Sequence, residues 1–548
     1  MSKSFLYWRG VLPITVAVLS GCASFPADLG RSDVDALVTE RGQAVDGAAS
    51  METSAELLAA LTATPLTPER VIRIALVNSP RLKASYAMLG FAAADVYEAG
   101  RIRNPIFIGA LLDSDVSGER DQLTLGLVMS FTDLITLPAR KRLSAGAFVA
   151  MKQSIGAEVL EVAAQAEMAY YGYVGAQQVA ALRAQIANAG ALSAALAERY
   201  HDAGNISARE LAFERAAASE ARLDALEAEA ESYAARTALA GVLGLSVGDT
   251  WDAAAQLHLP LANEDELDTL IALAHQSRLD LAAARTQVDV LADRLGVVNW
   301  TRWLGELDVG VERERETDGA RITGPTLAWE VPIFTQHKDA VLRAEADLQI
   351  AIAEVQRIAT DVDNGVRLAY ATLENAKARV TEYRNGLIPQ RVEAVARAQE
   401  EVNFMLIGIF ELIAIKQQEY DAYQGYLEAI RDYWHARVKM KLATGNSLPS
   451  SAQIGDQRID VEDFIRPQPG GMDHSGHGSM PDHSSMKNDS GGGSESMDHS
   501  DHQTMDENSS APDSKDHTGH KMTDADEVSE AQHETDGAHR EHNDGGSQ

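Results

Sequence analysis

Cysteine, aromatic residues and positive charge are all scarce in this 548-residue chain. It has one cysteine, 6 % aromatic residues, and 48 Lys and Arg against 81 Asp and Glu, which gives a formal net charge of −33. A single cysteine excludes a disulfide framework, and the low aromatic share disfavours an ordinary mixed globular core. The negative charge argues against nucleic acid as a partner and against a basic membrane-binding surface.

Sequence motifs of the common enzyme classes are absent as well. The chain contains no GxxxxGK[ST] phosphate loop, no HExxH zinc motif and no GxSxG nucleophile turn. Pairs of carboxylates occur on every predicted helix, but among 81 acidic residues such pairs are background. We therefore predict that the chain is not an enzyme and requires no cofactor.

What the chain does contain is Ala-rich sequence of helical character. About sixty residues from 140 onward are free of proline and reach a polar turn at 203–207, which predicts a helix about 90 Å long. After the turn, Ser207 is a good N-cap and Glu210 stands in the capping-box position of a returning helix over 208–243. A second hairpin, over 338–442, turns near 405–408 and contains Pro389, which should kink it.

The two hairpins belong to a tandem repeat. A helix from the Thr67 N-cap to about residue 101 precedes the first hairpin, and a helix over 267–300 precedes the second. In each half this shorter helix and the returning helix together nearly equal the length of the long helix. We expect them to stack end to end along it.

Strand-like sequence lies between the first and second helix of each half. The predicted strands are 104–112 and 122–131 in the first half, and 306–314 and 326–331 in the second. In the second half apolar residues alternate with Glu306, Asp308, Glu312 and Glu330, so the pattern indicates a membrane barrel with these acids facing a water-filled lumen. Two solvent-facing hairpins packed on a helical body are the alternative.

Four strands are too few to close a membrane barrel, and an open sheet edge is not tolerated in lipid. Either the strands lie outside the membrane, or several copies share one barrel. Two copies would supply eight strands and three copies twelve.

The N-terminus has the pattern of an export signal. Lys3 and Arg9 precede a short apolar run that is too short to span a bilayer, and the run closes on Leu19-Ser20-Gly21-Cys22. This ending resembles the bacterial lipobox, in which the cysteine carries a covalent lipid after cleavage. Ala23 rather than Asp follows, which by the same resemblance favours the outer membrane. A plain secretory signal with a chance cysteine is the alternative.

The C-terminal tail is rich in histidine and methionine. It holds ten of the fifteen His and six of the fourteen Met of the chain, in repeated phrases such as MDHSGHGSM and MDHSDHQTM. Imidazole suits Cu(II), Zn or Ni, and thioether selects Cu(I) or Ag(I), so the mixture favours copper or silver. A solvating tail with incidental histidines is the alternative. The candidate metal ligands are Met472, His474, His477, Met480, His483, Met497, His499, His502, Met505, His517, His520 and Met522.

The order of these segments resembles the TolC-type outer membrane efflux proteins. The resemblance is carried by ALVNSPRL at 75–82, AGNIS at 203–207, AGVLGL at 240–245, PIF at 332–334, LIPQ at 387–390 and NFMLIG at 403–408. It implies a homotrimer in the outer membrane, whose twelve strands form one barrel on a periplasmic α-helical barrel. Such a trimer serves as the exit duct of a pump with a periplasmic adaptor and an inner-membrane pump protein.

The same resemblance places the hairpin turns at Gly204 and Gly408 at the far tips of the duct, where related channels are gated. Glu210 and Glu411 are then equivalent acids beside the tips. A capping role on the returning helix is at least as good an interpretation of both. The aromatic and basic tip partners of the best-known channel are absent, since the matching positions hold Val402 and Ile407.

The sequence thus predicts a mainly α protein with a membrane β-barrel and a passive exit duct for heavy-metal ions, with copper or silver favoured. A channel for drugs or other small molecules, and a periplasmic metal-buffering coiled-coil lipoprotein that spans no membrane, are the alternatives. The predicted segments are a signal peptide (1–21), a surface strap (22–66), the first repeat (67–245), a linker (246–266), the second repeat (267–445), a second linker (446–470) and a disordered tail (471–548).

Overall fold

The computed structural model describes residues 28–44, 58–246, 250–254, 256–455 and 457–465. The predicted signal peptide, Cys22 and the whole His/Met-rich tail lie outside these residues. The helices are α1 (Arg31–Thr39), α2 (Pro68–Asn78), α3 (Pro80–Ala99), α4 (Phe131–Asp202), α5 (Ala208–Leu243), α6 (Leu267–Ser277), α7 (Leu279–Thr301), α8 (Lys338–Glu382), α9 (Ile388–Asn403), α10 (Ile409–Thr444) and α11 (Glu462–Ile465). The strands are β1 (Ile106–Leu112), β2 (Gln122–Ser130), β3 (Leu307–Arg315) and β4 (Arg321–Trp329).

The long helix α4 begins earlier than the sequence predicted. It has 72 residues, which is about 108 Å at the usual helical rise, and it follows β2 directly. Ser130 caps it by accepting a hydrogen bond from the Asp133 N–H. The predicted start near Arg140 was wrong because Pro138, which lies inside the helix, was taken as a boundary. By length and composition α4 could cross a membrane, but it packs lengthwise on α5 as half of a hairpin.

The turn between α4 and α5 is confirmed. Gly204 adopts a left-handed backbone with φ of 75°, which glycine tolerates without steric cost. Ser207 and Glu210 form a complete capping box: the Glu210 N–H donates to Ser207 Oγ, and the Ser207 N–H donates to Glu210 Oε2 at 2.8 Å.

The shorter helix of each repeat is broken rather than continuous, so the predicted helices over 67–101 and 267–300 were wrong. In the first repeat the break falls at Ser79, because a residue before proline avoids the α region. In the second repeat Arg278 adopts the same extended backbone without a following proline. Its guanidinium pairs with Asp280 and donates to the Ala443 carbonyl, and these contacts hold the break.

Each break meets the C-terminal end of the returning helix of its own repeat. Asn78 Nδ2 donates to the carbonyls of Leu243 and Gly244 at 3.0 and 2.9 Å. Arg278 reaches the end of α10 in the same way, beside Gly445. The predicted end-to-end stacking is therefore present, but only α3 and α7 extend the stacks.

The second hairpin contains an irregular turn where a kink was expected at Pro389. A five-residue π-helical turn, Tyr383–Leu387, separates α8 from α9, and Pro389 is the second residue of α9. A π-turn shifts the hydrogen-bond ladder by one residue and so accommodates the N–H that proline lacks. The hairpin tip then lies at 404–408.

The four strands form one antiparallel sheet in the order β1-β2-β3-β4. β2 pairs with β3, which joins the two repeats through hydrogen bonds. The fourth strand was predicted at 326–331 but runs over Arg321–Trp329, so Gly324 and Pro325 lie within β4.

The main core lies where the two repeats meet, below the sheet. Tyr171 of α4 stacks on Trp434 of α10 with ring centroids 5.2 Å apart, and Trp434 Nε1 donates to the His258 carbonyl. The region expected to be a surface strap contributes α1, whose Val34 and Val38 are fully buried. That burial was missed because nine residues are too few to establish a helical period.

A buried ion pair fastens the linker between the repeats to α10. Glu264 pairs with Arg437, and both side chains are almost inaccessible to solvent. Glu264 also accepts a hydrogen bond from the Tyr433 hydroxyl, and Arg437 donates to Ser450 and Ser451 beyond α10. The pair therefore joins three segments that are distant in sequence.

Glu264→Gln should destabilise the protein strongly. The substitution leaves the Arg437 charge buried without its counterion, which costs about 3–5 kcal/mol of unfolding free energy. Thermal unfolding followed by circular dichroism in detergent measures the loss as a lower midpoint. The matched control is Glu354→Gln, whose partner Arg357 is exposed, and it should leave the midpoint nearly unchanged. Equal midpoints for the two variants would refute the role of the buried pair.

Candidate functional site

The four acids predicted to share one face of the sheet do share it. In the register, Asp308 pairs with Ser130 and Ala328, and Glu312 pairs with Gly126 and Gly324. Side chains of directly paired residues point to the same face, and that face alternates every second residue. Glu306 and Glu330 extend the same alternation beyond the ladder, where the Glu330 N–H donates to the Glu306 carbonyl at 2.8 Å.

Small side chains surround these acids on the neighbouring strands. The residues directly opposite Asp308 and Glu312 are Ser, Ala and Gly, none of which carries a compensating charge. The acidic face is therefore electrostatically negative, and carboxylates in such a setting need water around them. This face can attract cations in an aqueous space.

The opposite face of the sheet is apolar over most of its height. Phe107, Leu127, Val311 and Leu327 point to it and are all exposed. β2, β3 and β4 have nine residues each, so each rises about 27 Å along its own direction. Three arginines that were not predicted as site residues end this face at its loop side, although the strand alternation indicates them; they are Arg313, Arg315 and Arg321.

Among the described residues, nothing pairs with the outer edges of β1 and β4. β1 pairs only with β2 and β4 only with β3, so each leaves a row of backbone N–H and C=O groups on its outer side. Natural proteins cover or pair such edges. The sheet is therefore one sector of a larger structure, if its apolar face lies in lipid.

The two hairpin tips have equivalent backbones and different surfaces. Met405 adopts φ of 58° at the second tip, as Gly204 does at the first, so the left-handed residue there is Met405 rather than Gly408. Phe404, Met405 and Leu406 are all exposed, whereas the first tip is polar. Tyr200 and Phe410 bring the tips together in an edge-to-face contact of 6.0 Å.

The two acids beside the tips differ in their contacts. The hydrogen bonds that the Ser207 backbone N–H and hydroxyl donate hold the pKa of the Glu210 carboxyl below its ordinary value. Glu411 follows Gly408, which provides no side-chain cap, and only its backbone N–H bonds to the Gly408 carbonyl. Glu210 thus has the capping contacts that the sequence allowed, and a gate role for either acid remains a prediction.

Neither the lipid site nor the metal ligands of the tail fall in the described part of the chain. Within that part, no group of three or more His, Cys, Asp or Glu side chains has an arrangement that could hold a metal ion. At the first tip, His201 Nδ1 lies 3.8 Å from Asp202 Oδ1. These two side chains do not belong to a group of three or more potential metal ligands among the described residues.

No family model matches the sequence. The protein CyaE of Bordetella pertussis is 28% identical over 333 residues, which cover 56% of this chain and 69% of CyaE.

Solved structures of outer-membrane channels have the same fold. CusC matches with a TM-score of 0.59 and 14% identity, over 69% of this chain and 92% of CusC. The outer membrane protein VceC of Vibrio cholerae matches with a TM-score of 0.58 and 16% identity, over 69% and 96%. The MtrE outer membrane channel of Neisseria gonorrhoeae, solved in an open state, matches with 0.57 and 15%, over 69% and 89%. The chain therefore shares the fold of these outer-membrane channels.

Adjacent cysteines on β3 should differ in their access to water. A charged, water-soluble maleimide should label Asp308→Cys, because this position faces the acidic side, and should leave Val309→Cys unlabelled under the same conditions. Labelling is measured by mass shift on membranes that carry each variant, with the unsubstituted chain as the background for Cys22. Stronger labelling at position 309 than at 308 would reverse the assignment of the two faces.

Proposed function

We propose that this chain is the outer-membrane channel subunit of an efflux system, and that it acts as a passive exit duct. The observation that carries the proposal is the four-stranded sheet, joined at one end to two long helical hairpins. One face is apolar across the strands, and the other carries the acids of β3 with mostly small or polar neighbours on β2 and β4. An apolar outer face and a hydrated acidic inner face are what a membrane pore requires. The hairpins extend the duct into the periplasm.

Three copies form the working channel in this proposal. β4 of one copy pairs with β1 of the next, which gives twelve strands without a free edge and satisfies every edge group. A trimer also accounts for exposed apolar side chains on the hairpins, which neighbouring copies would cover. They include Leu223 and Tyr233 on α5 and Ile350 and Leu368 on α8.

The proposed setting is the outer membrane of a bacterium with two membranes. Cys22 carries the lipid anchor on the periplasmic side, and the hairpin tips face a periplasmic adaptor and an inner-membrane pump. The exposed Phe404, Met405 and Leu406 give the second tip an apolar surface that suits protein contact. Energy for transport comes from the pump, since the duct itself is passive.

The proposed cargo is a soft metal ion, copper or silver. The support is the composition of the tail, where His and Met alternate at short spacing in an otherwise His-poor chain. A chelator tethered to the channel raises the metal concentration that the channel meets. Without the tail, the fold would fit a channel for drugs or other small molecules equally well.

The pore should conduct cations in preference to anions at low salt. Replacing Glu306, Asp308, Glu312 and Glu330 by their amides removes the negative lining, so the reversal potential in planar bilayers should move towards zero. The preference should also fade between 0.1 and 1 M salt, as the screening length falls from about 10 to 3 Å.

The matched control is Arg313→Gln, on the same strand but the opposite face, which should leave the selectivity unchanged. An anion-selective pore, or loss of selectivity in the control alone, would contradict the proposed lumen.

The tail should bind several metal ions and should not be needed for assembly. Deleting 471–548 should leave the trimer and basal export intact, but should lower resistance when copper or silver is scarce. Metal bound per chain is measured with Cu(I), Cu(II), Ag(I) and Zn(II) at pH 5 and 7, for the full chain and the deletion. Imidazole ligation should weaken below about pH 6.5 as histidine protonates, whereas thioether ligation should persist.

The matched control is the full chain with the tail His and Met replaced by Ser. Metal retained equally by that control would remove the support for metal cargo and would favour general efflux.

A further inference from the structure

We propose that the end of the sheet nearest the helices binds anionic phospholipid headgroups of the periplasmic leaflet, with Arg101 and Arg103 contacting the phosphate. This helix-side rim consists of residues 97–103, 300–304 and 329–334. The inference rests on the proposed membrane position of the sheet, and it adds the chemical class of lipid and the residues that contact it.

Tryptophan distribution is the first observation. The chain has six Trp, and three of them, Trp300, Trp303 and Trp329, lie in the rim with 57, 54 and 53% of their surface exposed. Trp251 and Trp434, in the core, are only 5 and 2% exposed. Large exposed indoles are costly in water, but they are favoured at the bilayer interface, where the ring is apolar and the N–H remains near polar groups.

The position of the rim along the strands agrees with an interface. Trp329 is the last residue of β4 and belongs to the apolar face, since it pairs with Leu307. Its indole N–H donates to the Leu304 carbonyl at 2.8 Å, which fixes the ring beside the end of α7. Phe334, which follows in the same rim, is 97% exposed. The apolar part of this face therefore ends, on the helix side, at a row of aromatic side chains.

Two exposed arginines supply the charge. The Arg101 guanidinium lies 3.7 Å from the centre of the Tyr97 ring, a stacked position that leaves its N–H edge open. Arg103 is also exposed, and its Nε lies 3.3 Å from Asp133 Oδ2. The ion pair at Nε orients the side chain and leaves the two terminal nitrogens for another acceptor.

A third arginine of the rim is not assigned to lipid. Arg302 stacks 4.8 Å from Trp303, but it lines a cleft of about 350 Å³ together with Asp133, Glu306 and Glu330. The three carboxylates of that cleft compete with a phosphate for the charge of Arg302, whereas Arg103 meets only one of them, Asp133, and only through Nε. Arg101, stacked on Tyr97, and Arg103 are therefore the two arginines assigned to the phosphate, in a chain whose net charge is −33. The complementary partner is a negatively charged lipid rather than a zwitterionic one.

The test uses the full-length trimer in nanodiscs of phosphatidylglycerol or phosphatidylcholine with brominated acyl chains. Bromine should quench the emission of the rim indoles, and replacing Trp300, Trp303 and Trp329 by Phe should remove the quenched component. Lipid retained after detergent extraction, measured by native mass spectrometry from an equal mixture, should favour phosphatidylglycerol.

Neutralising the rim should abolish that preference. The Arg101→Gln/Arg103→Gln variant should lose about fivefold of the preference for each arginine. The matched control, Arg209→Gln/Arg222→Gln, removes two exposed charges from α5 and should retain the preference.

The outcomes separate this inference from the proposed function. Quenching with no phosphatidylglycerol preference, or equal loss in the control variant, overturns the headgroup site and leaves the channel intact. No quenching of any tryptophan in either lipid overturns the membrane position of the sheet, and both proposals fall with it.

Discussion

Unpaired backbone groups at the two edges of the sheet are the constraint on which the rest of this structure depends. β1 and β4 each leave one side of their ladder open. In water such groups bond to solvent, but in hydrocarbon each one left unsatisfied costs several kcal/mol. A sheet whose apolar face is lipid-facing must therefore close on further copies of itself. In the proposed channel, assembly of the barrel and insertion into the membrane therefore cannot be separated.

The long helices are attached directly to the sheet. β2 runs into α4 without a loop, since Ser130 ends the strand and caps the helix. The position of β2 therefore fixes where α4, a helix about 108 Å long, begins. The breaks at Ser79 and Arg278 hold the returning helices in place through bonds to their last carbonyls. Both repeats hold the end of the returning helix at equivalent positions, through Asn78 in the first repeat and Arg278 in the second.

The sequence was informative where a local rule determines the structure. The capping box at Ser207 and the strand alternation around Asp308 follow from contacts within a few residues or from a period of two, and both are present. The break at Arg278 has no local signal, because contacts with Asp280 and the end of α10 impose it. Pro138 lies inside α4 and Pro325 inside β4, so in this chain neither proline marks the end of an element. Burial of α1 depends on tertiary packing alone.

The two faces of the sheet determine which side is wet without reference to any related protein. Asp308 and Glu312 have uncharged residues directly opposite them on both adjacent strands, so no side chain paired with them replaces water as a partner. Val311 and Leu327 are exposed on the other face and are stable only when that face is covered. A soluble helical body would have to cover the second face with its own apolar surface, yet the described helices leave it bare. A closed ring of such sheets, with lipid outside and water inside, satisfies both faces and both edges together.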